Sequence, residues 1–302
     1  MAVDTPVKNP AGHRGRGPSG ATARTRGRRP GSRPWVRIVV ALLLVVEVYP
    51  LVWMFLTSLK SNDDYLNNST WSLPTTWEWG NYTEAWTTGN IGLYVQNSAL
   101  AVVPALALML LLGTAAGFAL QIMVWKGRSL TLLVFLAGMM VPPQMILLPL
   151  FTVYFQTGLS GTLWPLILTY TGTGLPLTVF MMATYYRGVP REMFEAATLD
   201  GAGILRAFWT ISVPMVRNAL LTVGLVQFFF IWNDLLIALT FTNGQDLRTV
   251  QVGLLNFTGD FGATQYGPLF AAVCINVFGT LLIYLFLNQK VMKGLTSGAV
   301  KG

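Results

Sequence analysis

Two acidic side chains, Glu47 and Asp234, fall inside long apolar stretches of this 302-residue chain. An ionisable group at membrane depth costs on the order of a few kcal/mol, so each is a candidate for function. Asp234 closes the triplet Trp232-Asn233-Asp234. An amide and a carboxylate beside an indole can satisfy hydroxyls while the ring packs against a C–H face, which is how sugars are bound. The same triplet would equally lock its helix to its neighbours. Glu47, shortly before Pro50, suits an interhelical hydrogen bond or the lining of a path. Gln144, just after Pro142-Pro143, is a further lining candidate. Covalent chemistry finds little support: His13 and Cys274 are the single histidine and cysteine, and Asp234 has no second aspartate in the apolar stretches to pair with. Histidine-dependent catalysis and a metal centre are therefore not expected. No G-x4-G-K-[ST] phosphate loop occurs either.

These residues must be positioned by membrane elements. The chain is 53% hydrophobic and only 11% charged, too little charge to coat a soluble surface of this size. Six apolar stretches, over 38–59, 99–122, 130–155, 163–185, 219–241 and 269–287, are each long enough to cross about 30 Å of hydrocarbon as a helix. Helices are required because unpaired backbone amides are not tolerated in lipid. The expected fold class is all-α and integral to the membrane, with six transmembrane helices. A short Gly/Ser turn makes the third and fourth a tight hairpin. Pro50, Pro104, Pro142, Pro143, Pro149 and Pro176 mark expected kinks or breaks. The lone cysteine allows no intramolecular disulfide and leaves the redox compartment open.

Eighteen of the twenty lysines and arginines fall in the tail, the second and fourth connections and the C-terminal ending; Lys60 and Arg248 fall on the other side. By the positive-inside rule both termini are cytoplasmic. Residues 1–34, rich in Gly, Arg, Pro, Ser and Thr, read as a disordered basic tail touching anionic membrane lipid. Nucleic-acid binding has no other support, and a cleavable signal is not expected. The external loop over 61–96 carries Trp71, Trp77, Trp79 and Trp86; it reads as an interfacial aromatic belt or as a docking surface for an extracytoplasmic protein.

The polar connection "REMFEAATLDGAGILRAFWTISVPMV", 191–216, reads as two short helices. Pro190 suits a first helical turn. Met193, Phe194 and Ala197 make one apolar face, and Ile204, Phe208 and Ile211 make a second. Gly201 and Gly203 permit a tight bend, and Asp200 is placed to cap the next helix. The residues alone leave open an amphipathic connector lying on the membrane.

Glu195-Ala196-Ala197, then Gly201, Ile211 and Pro214, resemble the EAA loop of binding-protein-dependent ABC importer permeases, E-A-A-x3-G-x9-I-x-L-P; only Val213 departs from it. "YPLVWMFLTSLK", "VPPQMILLPL", "FFFIWNDLLIAL" and the ending "VMKGLTSGAVKG" look like carbohydrate permeases, and more closely the six-span second permease of maltose-type systems. The resemblance runs from 35 to 302. It implies a type I ABC importer permease domain over 35–302 in the bacterial cytoplasmic membrane, with a coupling loop over 188–216. It further implies that Glu195, Ala196, Ala197, Asp200, Gly201, Ile211 and Pro214 seat on an ATPase subunit. The implied partners are a second permease chain, an ATPase dimer that holds ATP and Mg²⁺, and an extracytoplasmic sugar-binding protein. This chain would need no cofactor of its own and would not be an enzyme. A secondary transporter or channel, a permease for a non-sugar solute and an intramembrane enzyme are the alternatives. Six spans without an internal repeat argue against the common secondary-transporter folds, and the missing nucleophile–base pair argues against the enzyme.

Overall fold

The computed structural model describes residues 34–258 and 264–299. The basic tail, apart from Pro34, and the side chains of the C-terminal ending thus lie outside the described residues. The chain divides into two units, 1–48 and 49–302. The first holds the opening part of α1 (Pro34–Thr57), whose apolar side chains are exposed along 35–48, as is Glu47.

In the second unit, α1 runs on to Thr57 and is followed by α2 (Asn62–Asn67), α3 (Gly80–Trp86) and the 31-residue α4 (Ile91–Gln121). Next come α5 (Arg128–Gly138), α6 (Pro143–Gln156) and α7 (Trp164–Tyr186). The polar connection folds as α8 (Glu192–Leu199), α9 (Ile204–Ala207), a π-turn over Phe208–Ser212 and α10 (Val213–Met215). The chain closes with α11 (Arg217–Trp232), α12 (Leu236–Phe241), α13 (Val250–Gly253) and α14 (Tyr266–Ala299). Among the described residues the only β pairing is an isolated bridge between Thr258 and Thr264.

Four helices, over 35–57, 91–121, 164–186 and 266–288, are long and apolar enough to cross a membrane, and two more spans result if each of two bent helix pairs counts as one. The third expected span, 130–155, is one such pair: α5 and α6 meet at 93°. The cause is local. A residue before proline is pushed out of the helical region, and Pro142, which precedes Pro143, sits at φ −63° and ψ 125°. Pro143 then opens α6, where its missing amide is not needed. Pro50, Pro104, Pro149 and Pro176 instead lie inside continuous helices. The other bent pair is Ile204–Met215 with Arg217–Trp232, which meet at 74°. Separately, the fifth expected span, 219–241, is interrupted where α11 stops at Trp232 and α12 starts at Leu236.

The core is built on α4 and α7. Gly113 and Gly117, one turn apart, let the two backbones meet: a Cβ on Gly113 would collide with Thr178, and one on Gly117 would lie 2.9 Å from Cβ of Met182. Small residues at this spacing are how helices approach closely in lipid. Around this pair, Ala105, Met109, Leu166 and Tyr170 pack with Ile231 and Ala238 of the broken fifth segment. A second cluster at the far end of α4 joins Phe118, Met182 and Tyr186 to Phe194, Phe208 and Val223. A third, at the near end, joins Ile91 and Tyr94 to Ala85, Phe257, Ala271 and Ala272.

The loop before α4 is folded rather than extended. Ser61 caps α2 by accepting from the Asp64 amide at 3.1 Å. The Asp64 carboxylate accepts from Asn68 Nδ2 at 2.6 Å and from the Thr75 amide at 2.9 Å. Lys60, 1% exposed, donates to Ser69 O and Ser72 Oγ. The bond from Asn68, with help from Thr75 and Lys60, holds the Asp64 carboxyl below its ordinary pKa. Burial pushes the Tyr82 hydroxyl, 2.8 Å from Ser58 Oγ, up to about 12. Trp71, Trp77, Trp79 and Trp86 are each at least half exposed.

Candidate functional site

The polar hairpin shows why its residue types recur at fixed spacings. Glu195, Ala196 and Ala197 form the middle of α8; Glu195 and Ala196 face outward and Ala197 is buried. The helix ends in a Schellman closure: the Ala202 amide donates to Ala197 O at 2.9 Å and the Gly201 amide to Thr198 O at 3.0 Å. That closure needs a left-handed residue, and Gly201 supplies it at φ +79°. The interval from the alanines to the glycine is thus the length of helix that the closure must terminate.

Three local expectations are corrected. Asp200 does not cap the next helix: it is the C-cap of α8, its own amide donating to Ala196 O, while Gly203 is the N-cap of α9 without any side-chain bond. The turn at Gly201 leaves Asp200 on the wrong side of the bend. Pro190 also lies one residue ahead of the Arg191 N-cap, outside the first turn. The apolar stripe of the second half is shifted by about one position: Ala207, Phe208 and Ser212 are buried and Ile211 half-buried, while Ile204 is exposed. Pro214 is exposed and opens the short α10.

What the sequence reading missed is how the hairpin is anchored. Phe118, near the end of α4, meets Tyr186, Phe194 and Phe208 edge-on at ring separations of 6.0, 5.5 and 5.4 Å. Such aromatic pairs add specificity to burial. The Tyr186 hydroxyl lies 2.6 Å from Ser212 Oγ. Arg191 donates from its guanidinium to Gln121 O at 2.8 Å, placing a cation on the last carbonyls of α4. Between these contacts is a hollow of about 490 Å³ whose lining includes Phe118, Arg191, Glu195, Thr198 and Ile204. The hairpin also exposes two large apolar side chains, Leu199 at 89% and Leu205 at 73%.

The second set of expected residues sits at the break between α11 and α12. Asp234 Oδ2 accepts from the Tyr170 hydroxyl and from the Ala238 amide, each at 3.0 Å, so it both ties the break to α7 and serves a free amide of α12. The Trp232 indole donates to Asn276 Oδ1 at 2.9 Å, tying the break to α14. Asn233 is exposed, donating to Phe229 O and accepting weakly from Gln251. Both helix breaks face one cavity of about 360 Å³: Met139 and Pro143 line it from the first, Asp234 and Ile237 from the second. Tyr170, Thr173, Gly174 and Gln227 supply its remaining polar lining. Gln227, 2% exposed, is spent on Gly174 O and Thr178 Oγ1. Gln144 is exposed on the first turn of α6 and does not line this cavity, although Pro143 beside it does. Glu47 belongs to the other unit. Among the described residues no cluster of three His, Cys, Asp or Glu side chains could hold a metal ion.

Comparison with known proteins agrees with this architecture. Residues 109–289 match the family model for the binding-protein-dependent transport system inner membrane component. The chain is 33% identical to the diacetylchitobiose uptake system permease protein NgcG of Streptomyces coelicolor, over 89% of this chain and 90% of that one. It is 32% identical to the probable ABC transporter permease protein YurM of Bacillus subtilis, over 88% of each. In fold it is similar, at a TM-score of 0.73 and 17% identity, to a chain of a bacterial ABC transporter involved in the import of the acidic polysaccharide alginate, covering 85% of this chain and 95% of that one. With more than half of its length matched by the family model and a relative this similar along nearly all of it, the chain belongs to the inner membrane components of binding-protein-dependent transport systems.

Proposed function

We propose that the chain is the permease subunit of an ATP-driven sugar importer and forms half of the translocation pathway. The observation that carries this reading is the hairpin itself: a Schellman-closed helix bearing Glu195-Ala196-Ala197, with Leu199 and Leu205 exposed, seated on the ends of α4 and α7. Exposed leucines together with the exposed Glu195 on an anchored hairpin suit a groove in another protein. That partner is an ATPase dimer, which carries the ATP and Mg²⁺; a second permease chain and an extracytoplasmic sugar-binding protein complete the complex. The sugar assignment draws on the chitobiose-transporting relative.

In this reading residues 35–302 form a type I importer domain with six spans, two of them broken, in the bacterial cytoplasmic membrane. Both termini and the 188–216 loop face the cytoplasm, the basic tail over 1–34 touches anionic lipid, and the path passes the break at Asn233 and Asp234. Closure of the ATPase dimer moves the hairpin, the hairpin moves α4 and α7 through Phe118 and Tyr186, and the pathway opens outward. Sugar delivered by the binding protein enters, and hydrolysis resets the inward state.

The test is Glu195→Lys. Because Glu195 is exposed, the variant inserts and folds normally, while uptake and the ATPase activity stimulated by loaded binding protein are lost together. Uptake at wild-type rates with unchanged stimulation overturns the coupling role. Topology is tested by cysteine labelling in a Cys274→Ser background: Asn68→Cys is labelled from outside and Thr198→Cys only after permeabilisation.

A further inference from the structure

Beside the α11–α12 break lies a second hollow, of about 330 Å³, lined by Phe229, Asn233, Asn276, Thr280 and Tyr284 together with Val277 and Leu281. Its volume is at the small end of ligand sites, which run from about 300 to 1,000 Å³. Asn276, Thr280 and Tyr284 are spaced four apart and so stand in one row along α14. Asn276 lies ten residues after Tyr266, about 15 Å along the helix axis and so about halfway through a hydrocarbon layer of about 30 Å. A polar side chain at that depth has no partner in lipid.

The hydrogen bonds fix what this row offers. The Trp232 indole is a donor only, so the oxygen of Asn276 must face it, as the 2.9 Å bond requires. The Asn276 NH₂ is therefore turned away from Trp232. It makes no hydrogen bond within the described residues, and yet it is not among the sealed, unpaired polar atoms of the protein. Asn276 as a whole is 9% exposed, so its amide is accessible on a nearly buried side chain that lines the hollow. Thr280 donates its hydroxyl proton to Asn276 O at 2.6 Å, which leaves the lone pairs of its oxygen as acceptors. Tyr284 adds a phenol, and its ring meets Phe229 at 6.0 Å. Asn233 also lines the hollow, its side-chain oxygen accepting from Gln251 Nε2 at 3.4 Å. The lining holds donors, acceptors and two aromatic rings, and no charged group.

We infer that this hollow is a substrate subsite on α14 that binds one uncharged pyranose ring of the transported sugar, with Asn276 and Tyr284 donating to its hydroxyls and Thr280 accepting from one. Phe229 and Tyr284 offer the flat apolar surface for its C–H face. The inference rests on the sugar-importer reading and deepens it by naming residues on a helix other than the broken span.

The test uses the assembled transporter in proteoliposomes with saturating loaded binding protein, and reads sugar uptake and ATP hydrolysis in parallel. Thr280→Val and Tyr284→Phe keep shape and helix, and Asn276→Asp keeps the acceptor for Trp232 while removing the NH₂. Each is expected to lower uptake about 2- to 13-fold, the factor set by one lost hydrogen bond of about 0.5–1.5 kcal/mol, while stimulated hydrolysis stays at the wild-type rate. Sugar transported per ATP therefore falls. Uptake and hydrolysis falling in step, or neither falling, in Thr280→Val and Tyr284→Phe overturns the subsite. If the wild-type complex moves no sugar at all, it is the importer reading that fails, which the wild-type control reveals separately.

Discussion

The hydroxyl of Tyr186, at the last turn of α7, lies 2.6 Å from Oγ of Ser212 in the second half of the hairpin, and both residues are buried. This is a side-chain link between a membrane-crossing helix and the element proposed to meet the ATPase. Removing one partner strands the other in a dry site. Tyr186→Phe should therefore cost about 1–3 kcal/mol of stability, read as a lower melting temperature of the purified complex. Adding Ser212→Ala should recover part of that loss, because the orphaned hydroxyl goes with it. Strictly additive losses in the double variant would show that the two hydroxyls do not interact.

Gly201 closes α8 at φ +79°. A side chain in the left-handed region costs about 1–2 kcal/mol per residue, and asparagine tolerates it better than alanine. Gly201→Asn should retain more uptake than Gly201→Ala, and Gly201→Pro should retain none, since its ring fixes φ near −65°. Equal uptake in the alanine and asparagine variants would remove the conformational explanation for this glycine.

Gly113 and Gly117 are where α4 and α7 touch. Forcing a larger side chain into such a contact costs about 1–3 kcal/mol. Gly113→Leu and Gly117→Leu should each lower the melting temperature in detergent, whereas Leu112→Ala, at a position 45% exposed, should change it little. A Gly117→Leu protein as stable as wild type would contradict the close approach.

The Asp64 carboxylate accepts at both oxygens, from Asn68 and from the Thr75 amide, and its pKa is lowered. An amide has only one oxygen, so Asp64→Asn loses one of these bonds. Because the folded pKa is below the unfolded value of about 3.9, the stabilisation is fully present above that pH and is lost as the pH falls through the folded pKa. The gap in melting temperature between wild type and Asp64→Asn should hold constant from pH 7 to pH 5 and shrink below about pH 4. A gap that is unchanged at pH 3 would mean that the charge contributes nothing.

Four of the apolar stretches read directly from the sequence as single helices, because length and hydrophobicity alone specify them. So did the hairpin, whose bend is set by Gly201 through local hydrogen bonds. Pro142-Pro143 announced the first break. The break at Asn233 to Leu235 carried no proline or glycine and was invisible to periodicity; Asp234 stabilises it through Tyr170, which lies 64 residues away in the chain. The anchors Phe118, Tyr186 and Ser212 were equally hidden, since an aromatic in an apolar run gives no sign of what it meets. Two signals stood in plain view and went unread: the Gly113-x3-Gly117 pair inside α4, and the polar positions Asn276 and Thr280 inside the last apolar stretch. The Asp200 cap failed because the bend angle, which residue type does not encode, decides which amides a side chain can reach.

At the crossing of α4 and α7 the glycines remove the layer of side chains that normally separates two helices, so backbone rests almost directly on side-chain stubs. Packed helices slide past one another by letting long side chains change rotamer, and here there are few to do so. The crossing is a weld rather than a bearing. In the proposed mechanism, displacement delivered at Phe118 and Tyr186 is carried along both helices together, and the angular change is absorbed elsewhere. The two helix breaks, 139–142 and 233–235, both open onto the same 360 Å³ cavity. In the proposed mechanism this close crossing thereby directs strain to the two breaks, and a stroke at the hairpin is spent as a change in the shape of that cavity.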